Sequence, residues 1–246
     1  MAVSVPRTEH ATPGESIDRN GAIPPLEDGD RLTREEFERR YDAMPQLKKA
    51  ELIEGVVHLP SPDRHRFHGA PHSTLIGWLF NYRARTPGVE LSDNSTVHLS
   101  PNNIPQPDCL LFIQPEHGGR VMIDKEGYIV GAPDLIAEVT ASTESYDLHD
   151  KRNAYRRSGV LEYLVWRVRD REIDWFVLRK DRYKPLPVRA DGSLRSTVFP
   201  GLWLDPAALI DDDLDRLMTM LQRGLDSPEH VEFVAGLREK RAKPAR

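Results

Sequence analysis

The chain has 246 residues, the size of one α/β domain with extensions or of two small domains. Hydrophobic residues make up 39% and charged residues 30%, and no stretch approaches the roughly 18 apolar residues of a membrane span. A single cysteine, Cys109, excludes an internal disulfide and a multi-cysteine zinc site, while a net charge of −5 does not by itself point to nucleic acid.

Residues 1–30 carry Pro13, Pro24 and Pro25 with few large apolar side chains, which predicts a disordered arm. The opening residues M-A-V-S-V-P-R-T-E-H contain no apolar run before a small-residue cleavage site, so the expected location is cytoplasmic. Thr33-Arg34-Glu35-Glu36 has capping-box spacing and opens a short helix to about Tyr41. E-L-I-E-G-V-V-H-L follows, two β-rich pieces about Gly55 that read as a strand pair. Leu75, Ile76 and Leu79 recur at helical spacing and predict a helix from about His72 to Arg85, ended by Pro87-Gly88.

Val89 to Leu99 reads as one strand and Asp108 to Ile113 as another, apolar enough to be central; Glu116 to Glu126 reads as an excursion. Asp134 to Thr140 is a further apolar strand. Ser142 or Thr143 can cap a helix that runs to Ser158, where Gly159 supplies the stop. L-E-Y-L-V-W and E-I-D-W-F-V-L then flank R-V-R-D-R as a hairpin. A strand near Tyr183–Val188 and a closing helix from Pro206 to about Gly224 complete the pattern, and the charged tail of residues 226–246 is expected to fray. Strands, a helix, then more strands predict a single α/β domain over residues 31–225, with a mixed β-sheet flanked by helices.

Two acids stand in otherwise apolar strands. Asp108 precedes Cys109-Leu110-Leu111-Phe112-Ile113, and Glu138 lies within Leu135-Ile136-Ala137-Glu138-Val139. A buried carboxylate is expensive unless it is paired, hydrogen-bonded or bound to a metal. In the next helix, Leu148, Lys151 and Tyr155 share a stripe, so Lys151 stands on an apolar face. Its partner is either Asp147, one turn earlier, or the two strand acids. Tyr155 reads as packing.

These residues carry a resemblance. The run P-D-L-I-A-E-V-T-A-S-T, followed by D-x-x-x-K-x-x-x-Y-x-x-x-G-V-x-E-Y from Asp147 to Tyr163, resembles the Uma family of putative restriction endonucleases. E-L-I-E-G at 51–55, S-P at 61–62, His68 before a helix and P-D at 107–108 agree with it, so the resemblance spans about residues 32–210. It implies a restriction-endonuclease-like fold of the P-D-(D/E)-x-K nuclease superfamily, with Asp108 and Glu138 as metal-binding carboxylates. The superfamily's lysine would fall two residues after the second acid, where this chain has Thr140. By resemblance Lys151 takes that place from the next helix, and Glu51 and His68 match an acid and a histidine that the family carries. The implied activity is a Mg²⁺-dependent endonuclease, possible also with Mn²⁺, acting on DNA, with a homodimer suggested for double-strand cutting. The competing reading is a catalytically idle nuclease fold that binds nucleic acid or a protein.

Other signals point elsewhere or stay open. His65, His68 and His72 lack the glutamate of H-E-x-x-H, and Pro71 interrupts a regular helix, so zinc is not expected. Cys109 reads as a buried small hydrophobe, and Trp166, Trp175 and Phe176 as core. Residues 151–190 hold 12 Lys+Arg against 5 Asp+Glu, whereas the rest of the chain holds 22 against 34. That basic segment is either a phosphate-facing surface or a set of solvated hairpin faces.

Overall fold

The computed structural model describes residues 22–60, 64–140 and 146–242. The expected cap at Ser142 or Thr143, the S-P pair at 61–62, most of the N-terminal arm, and the side chains of Asp147 and Leu148 lie outside what is described.

Packing begins before Thr33. Leu26 is buried, and Gly29 N–H donates to the Val57 carbonyl at 2.9 Å. Helix α1, Arg34–Asp42, starts as the capping box predicts, with the Thr33 hydroxyl accepting from Glu36 N–H. Strands β1, Glu51–Ile53, and β2, Val56–His58, form the expected antiparallel pair. Leu26, Phe37, Leu52, Val57 and Ile104 enclose a small core that fixes β1 against the main body.

A wide helical turn, His65–Gly69, leads into α2, Ala70–Arg85. Pro71 sits in the first turn of α2, where its missing N–H leaves nothing unsatisfied. The segment expected as one strand from Val89 to Leu99 is two: β3, Val89–Asp93, and β4, Val97–His98. The break follows Asn94, whose φ of 50° turns the chain away from the main sheet. β4 instead pairs with β7, Ile129–Val130, which in turn pairs with β6, Met122–Ile123.

The main sheet is six-stranded and mixed. It runs in the order β11, β10, β9, β8, β5, β3, where β5 is Cys109–Ile113, β8 Leu135–Thr140, β9 Glu162–Arg167, β10 Glu172–Arg179 and β11 Arg182–Pro185. Only β8 and β9 are parallel. Their crossover contains a second wide turn, Tyr146–Lys151, and α3, Arg152–Ser158, closed by Gly159 at φ 84°.

Alternation along the strands builds two layers. Cys109, Leu111, Ala137, Val139, Leu164, Trp166 and Trp175 face α2 and the C-terminal helices. Leu110, Phe112, Ile136, Tyr163, Val165 and Phe176 face α3 through Tyr155. Every residue of β8 is buried, as expected of a central strand covered on both faces.

The closing helix is broken into α4, Pro206–Ile210, and α5, Leu214–Leu225. Asp212 between them has φ 57°, and Asp213 caps α5 by accepting from Arg216 N–H. Strands β12, Leu194–Arg195, and β13, Trp203–Leu204, precede them as a small pair the sequence did not suggest. The tail expected to fray forms α6, Pro228–Ala242, in which His230 and Leu237 are buried. Among the described residues no helix is long and apolar enough to cross a membrane.

Candidate active site

The register of β5 against β8 creates the centre of the site. Cys109 opposes Ala137, so Asp108 at the mouth of β5 falls beside Glu138 on the face toward α3. Main-chain N–H groups hold both carboxylates: Asp108 N–H donates to Glu138 Oε2 at 3.2 Å, and Val139 N–H donates to Asp108 Oδ2 at 2.8 Å. Each is only 3% exposed.

The other sequence-predicted residues converge on this pair. Lys151, 4% exposed, donates to Glu138 Oε1 at 3.1 Å and lies 3.0 Å from Glu51 Oε2. Glu51 reaches it from β1, with its second oxygen accepting from Gln106 N–H at 2.7 Å. His68 Nε2 lies 3.1 Å from Asp108 Oδ2 and enters from the turn before α2. Asp108, Glu138, Lys151, Glu51 and His68 therefore form one connected network, drawn from β1, β5, β8 and the segments opening α2 and α3. Thr140, where the resemblance would place a lysine, is buried on β8, and Lys151 reaches Glu138 from the turn that opens α3.

Three members were not legible in the sequence. Lys49 places Nζ 3.5 Å from Asp108 Oδ1, from a segment before β1 with no motif to mark it. Tyr155, expected as packing, does pack against Tyr163, but its hydroxyl also donates to Glu138 Oε1 at 2.8 Å. His72 holds the Asp108 main chain through its carbonyl at 3.0 Å and also reaches Asp93 at 3.1 Å. Its signal was the H-G-A-P-H spacing, read there only against zinc.

The electrostatics keep Asp108 ionised. Burial pushes its carboxyl up, but the His68 contact, the Lys49 charge and the Val139 N–H together hold it well below the usual carboxylate range. Burial also works against the Lys49 ammonium, yet Asp108, Glu51 and Glu138 outweigh it and raise its pKa. The Tyr155 phenol is raised by burial and then by Glu138, so it acts as a donor and not as a base. Cys109 faces the opposite layer, and burial raises its thiol strongly, which removes it as a nucleophile.

The donor set is oxygen-rich, with three carboxylates and no thiolate. Among the described residues no group of three or more His, Cys, Asp or Glu side chains is arranged to enclose a metal ion. Two carboxylates with water completing the shell is the habit of Mg²⁺, so Asp108 and Glu138 fit that ion better than a zinc cage. The solvent side of the site is marked by Lys49 and His68, whose side chains are 28% and 18% exposed.

A mixed sheet between helices, with one buried acid at the mouth of β5 and another midway along the adjoining β8, is the mixed α/β fold that the sequence predicts. The sequence model of Uma2, described as "Putative restriction endonuclease", matches residues 34–207, and the chain belongs to this family. A crystal structure titled as a putative nuclease belonging to DUF820 from Anabaena variabilis is similar at a TM-score of 0.48 and 16% identity, covering 70% of this chain and 97% of that one. No curated protein matches the chain.

Proposed function

We propose that this protein is a metal-dependent endonuclease of the P-D-(D/E)-x-K type that hydrolyses phosphodiester bonds in DNA. The observation that carries the reading is the buried, adjacent pair of Asp108 and Glu138, each held by a main-chain N–H, with Lys151 delivered to Glu138 by the turn that opens α3.

Asp108 and Glu138 would hold Mg²⁺, or Mn²⁺, which when bound neutralises phosphate charge and lowers the pKa of a water. Each residue then has a part set by its position. Val139 N–H and Asp108 N–H fix the two carboxylates, so their orientation does not depend on side-chain freedom. Lys151, bridging Glu138 and Glu51, is placed to orient a water and to stabilise charge developing on the phosphate. Lys49 and His68, on the solvent side, would meet the incoming phosphate as cation and hydrogen-bond donor.

The test is cleavage of plasmid DNA by the purified chain with Mg²⁺ or Mn²⁺, beside Glu138→Gln. The variant keeps the volume and an acceptor for Asp108 N–H, so it should fold normally by circular dichroism and lose cleavage by at least about 100-fold. Undiminished cleavage by Glu138→Gln overturns the assignment. Absence of both cleavage and metal-dependent stabilisation in the parent chain favours an idle fold.

A further inference from the structure

The basic segment 151–190 is not one surface. Arg167 is taken up by Asp170, Glu172 and Asp174 within its own hairpin, and Arg157 by Glu54. Arg171 pairs with Asp211 and Arg169 lies over Phe67, but Arg152, Arg156 and Arg182 gather in one place. A groove of about 410 Å³ lies between α3 and the β10–β11 edge, lined by Arg152, Arg156, Arg182, Asp181, Tyr183 and His149 among others.

Three guanidinium groups share this groove. Arg152 lies over the Phe176 ring at 4.1 Å from its centroid, and Arg156 donates to the Asp181 carbonyl at 3.0 Å. These contacts orient the arginines without neutralising them. No carboxylate among the described residues pairs with Arg152, Arg156 or Arg182, and Asp181 is the one acid in the lining. Unpaired arginines held in place beside an open groove are suited to phosphate, which accepts paired guanidinium donors.

The groove's position relative to the carboxylates gives it a use. Tyr183 of its lining, and Phe176 beneath Arg152, belong to the same apolar layer as Ile136 and Tyr155. Tyr155 touches Glu138, and rings continue from Tyr155 through Tyr163 to Phe176 at centroid spacings of 5.2 and 6.5 Å. From β8 to β11 is three inter-strand steps, roughly 14 Å at ~4.8 Å each. That matches about four base-pair steps of ~3.4 Å along a duplex.

We propose that the groove of Arg152, Arg156 and Arg182 binds a backbone phosphate of DNA a few nucleotides from the scissile bond. The inference rests on DNA being the substrate. It assigns these arginines to positioning the strand and to no chemical step.

The test is binding of a fluorescent 20-base-pair duplex to the full chain in EDTA, titrated from 50 to 200 mM NaCl, where cleavage plays no part. Arg156→Gln/Arg182→Gln should weaken binding about tenfold and lower the slope of log affinity against log salt by about 1, the loss of one phosphate contact. Asp181→Asn removes the acid of the lining at a positive-φ position that asparagine accepts, and should tighten binding about twofold. Arg216→Gln, on α5 and paired with Asp205, serves as the control and should change neither quantity. Unchanged affinity and slope in the double variant overturn the groove assignment, even if the parent chain cleaves DNA. No binding of duplex by the parent chain overturns it as well. Groove-dependent binding without metal-dependent cleavage instead sustains the groove and sinks the nuclease reading.

Discussion

Lys151 is the residue on which the site turns. Its ammonium is almost fully buried and stands between two carboxylates, Glu138 at 3.1 Å and Glu51 at 3.0 Å. Removing it leaves two buried acids facing each other without a cation, a change that usually costs about 3–5 kcal/mol. Lys151→Met is therefore expected to be less stable by that order in urea unfolding, and an unchanged midpoint would contradict the bridging role. Asp108 supplies a second prediction, with its sign fixed by linkage. Its folded pKa is depressed, so its contribution to stability is present above the unfolded value of ~3.9 and is lost as pH falls through the folded value. His68→Gln removes the largest influence holding that pKa down. The variant should thus be less stable than the parent at neutral pH, and the gap should close progressively below pH ~4 in pH-dependent unfolding. Residues of similar appearance show how far sequence alone can be trusted. Glu162, in L-E-Y-L-V-W, is as buried in its strand as Glu138. Its carboxylate serves instead to anchor residues 196–198, accepting from the Ser196 and Thr197 hydroxyls and from Thr197 N–H. An acid in an apolar strand thus announces a compensated charge, and the neighbours across the sheet decide whether the compensation is structural or functional.

Elements were legible where local chemistry dictates them. The Thr33 capping box, the strand pair around Gly55, and the Gly159 stop all depend on residues adjacent in sequence, and all form as expected. Predictions failed where a distant contact intervened. The strand from Val89 breaks because its second half is claimed by β7; the closing helix breaks for a local reason, the positive φ of Asp212. A test at this scale uses two helical glycines with opposite surroundings. A Cβ on Gly224 of α5 would stand 2.2 Å from the Gly201 carbonyl oxygen and 2.8 Å from Trp203, a backbone approach that no rotamer relieves. A Cβ on Gly236 of α6 would meet nothing within 4 Å. Gly224→Ala should lose about 2–3 kcal/mol through overpacking, whereas Gly236→Ala should gain about 0.5–1 kcal/mol from helix propensity. Urea unfolding of the pair checks both signs, and equal shifts would mean that α5 is not held so closely.

At the scale of the whole molecule, the C-terminal helix closes the structure. The Leu237 carbonyl receives His117 Nδ1 at 2.8 Å, His230 Nε2 meets the Thr86 hydroxyl at 3.0 Å, and the Leu237 side chain enters the larger core. Ending the chain after Ser227 should therefore lower stability by about 3 kcal/mol or more, from lost apolar burial and orphaned polar groups, measured as a drop in melting temperature. Retention of the parent's melting temperature would refute a structural role for α6. The charged end of that tail dominates its composition and predicts fraying, while the few buried contacts that dock it involve residues more than a hundred positions away.

The sequence by itself determined the mixed α/β pattern and singled out Asp108, Glu138 and Lys151, because periodicity, caps and motif spacing are local properties of the chain, and the family likeness added Glu51 and His68. Only the tertiary structure decided how they meet. It set Asp108 beside Glu138 through strand register, brought Lys151 to Glu138 and Glu51, added Lys49 and the Tyr155 hydroxyl, and sorted part of a basic segment into paired arginines and an arginine-lined groove. Each of these is a contact across the fold, fixed by packing that no single stretch of sequence contains.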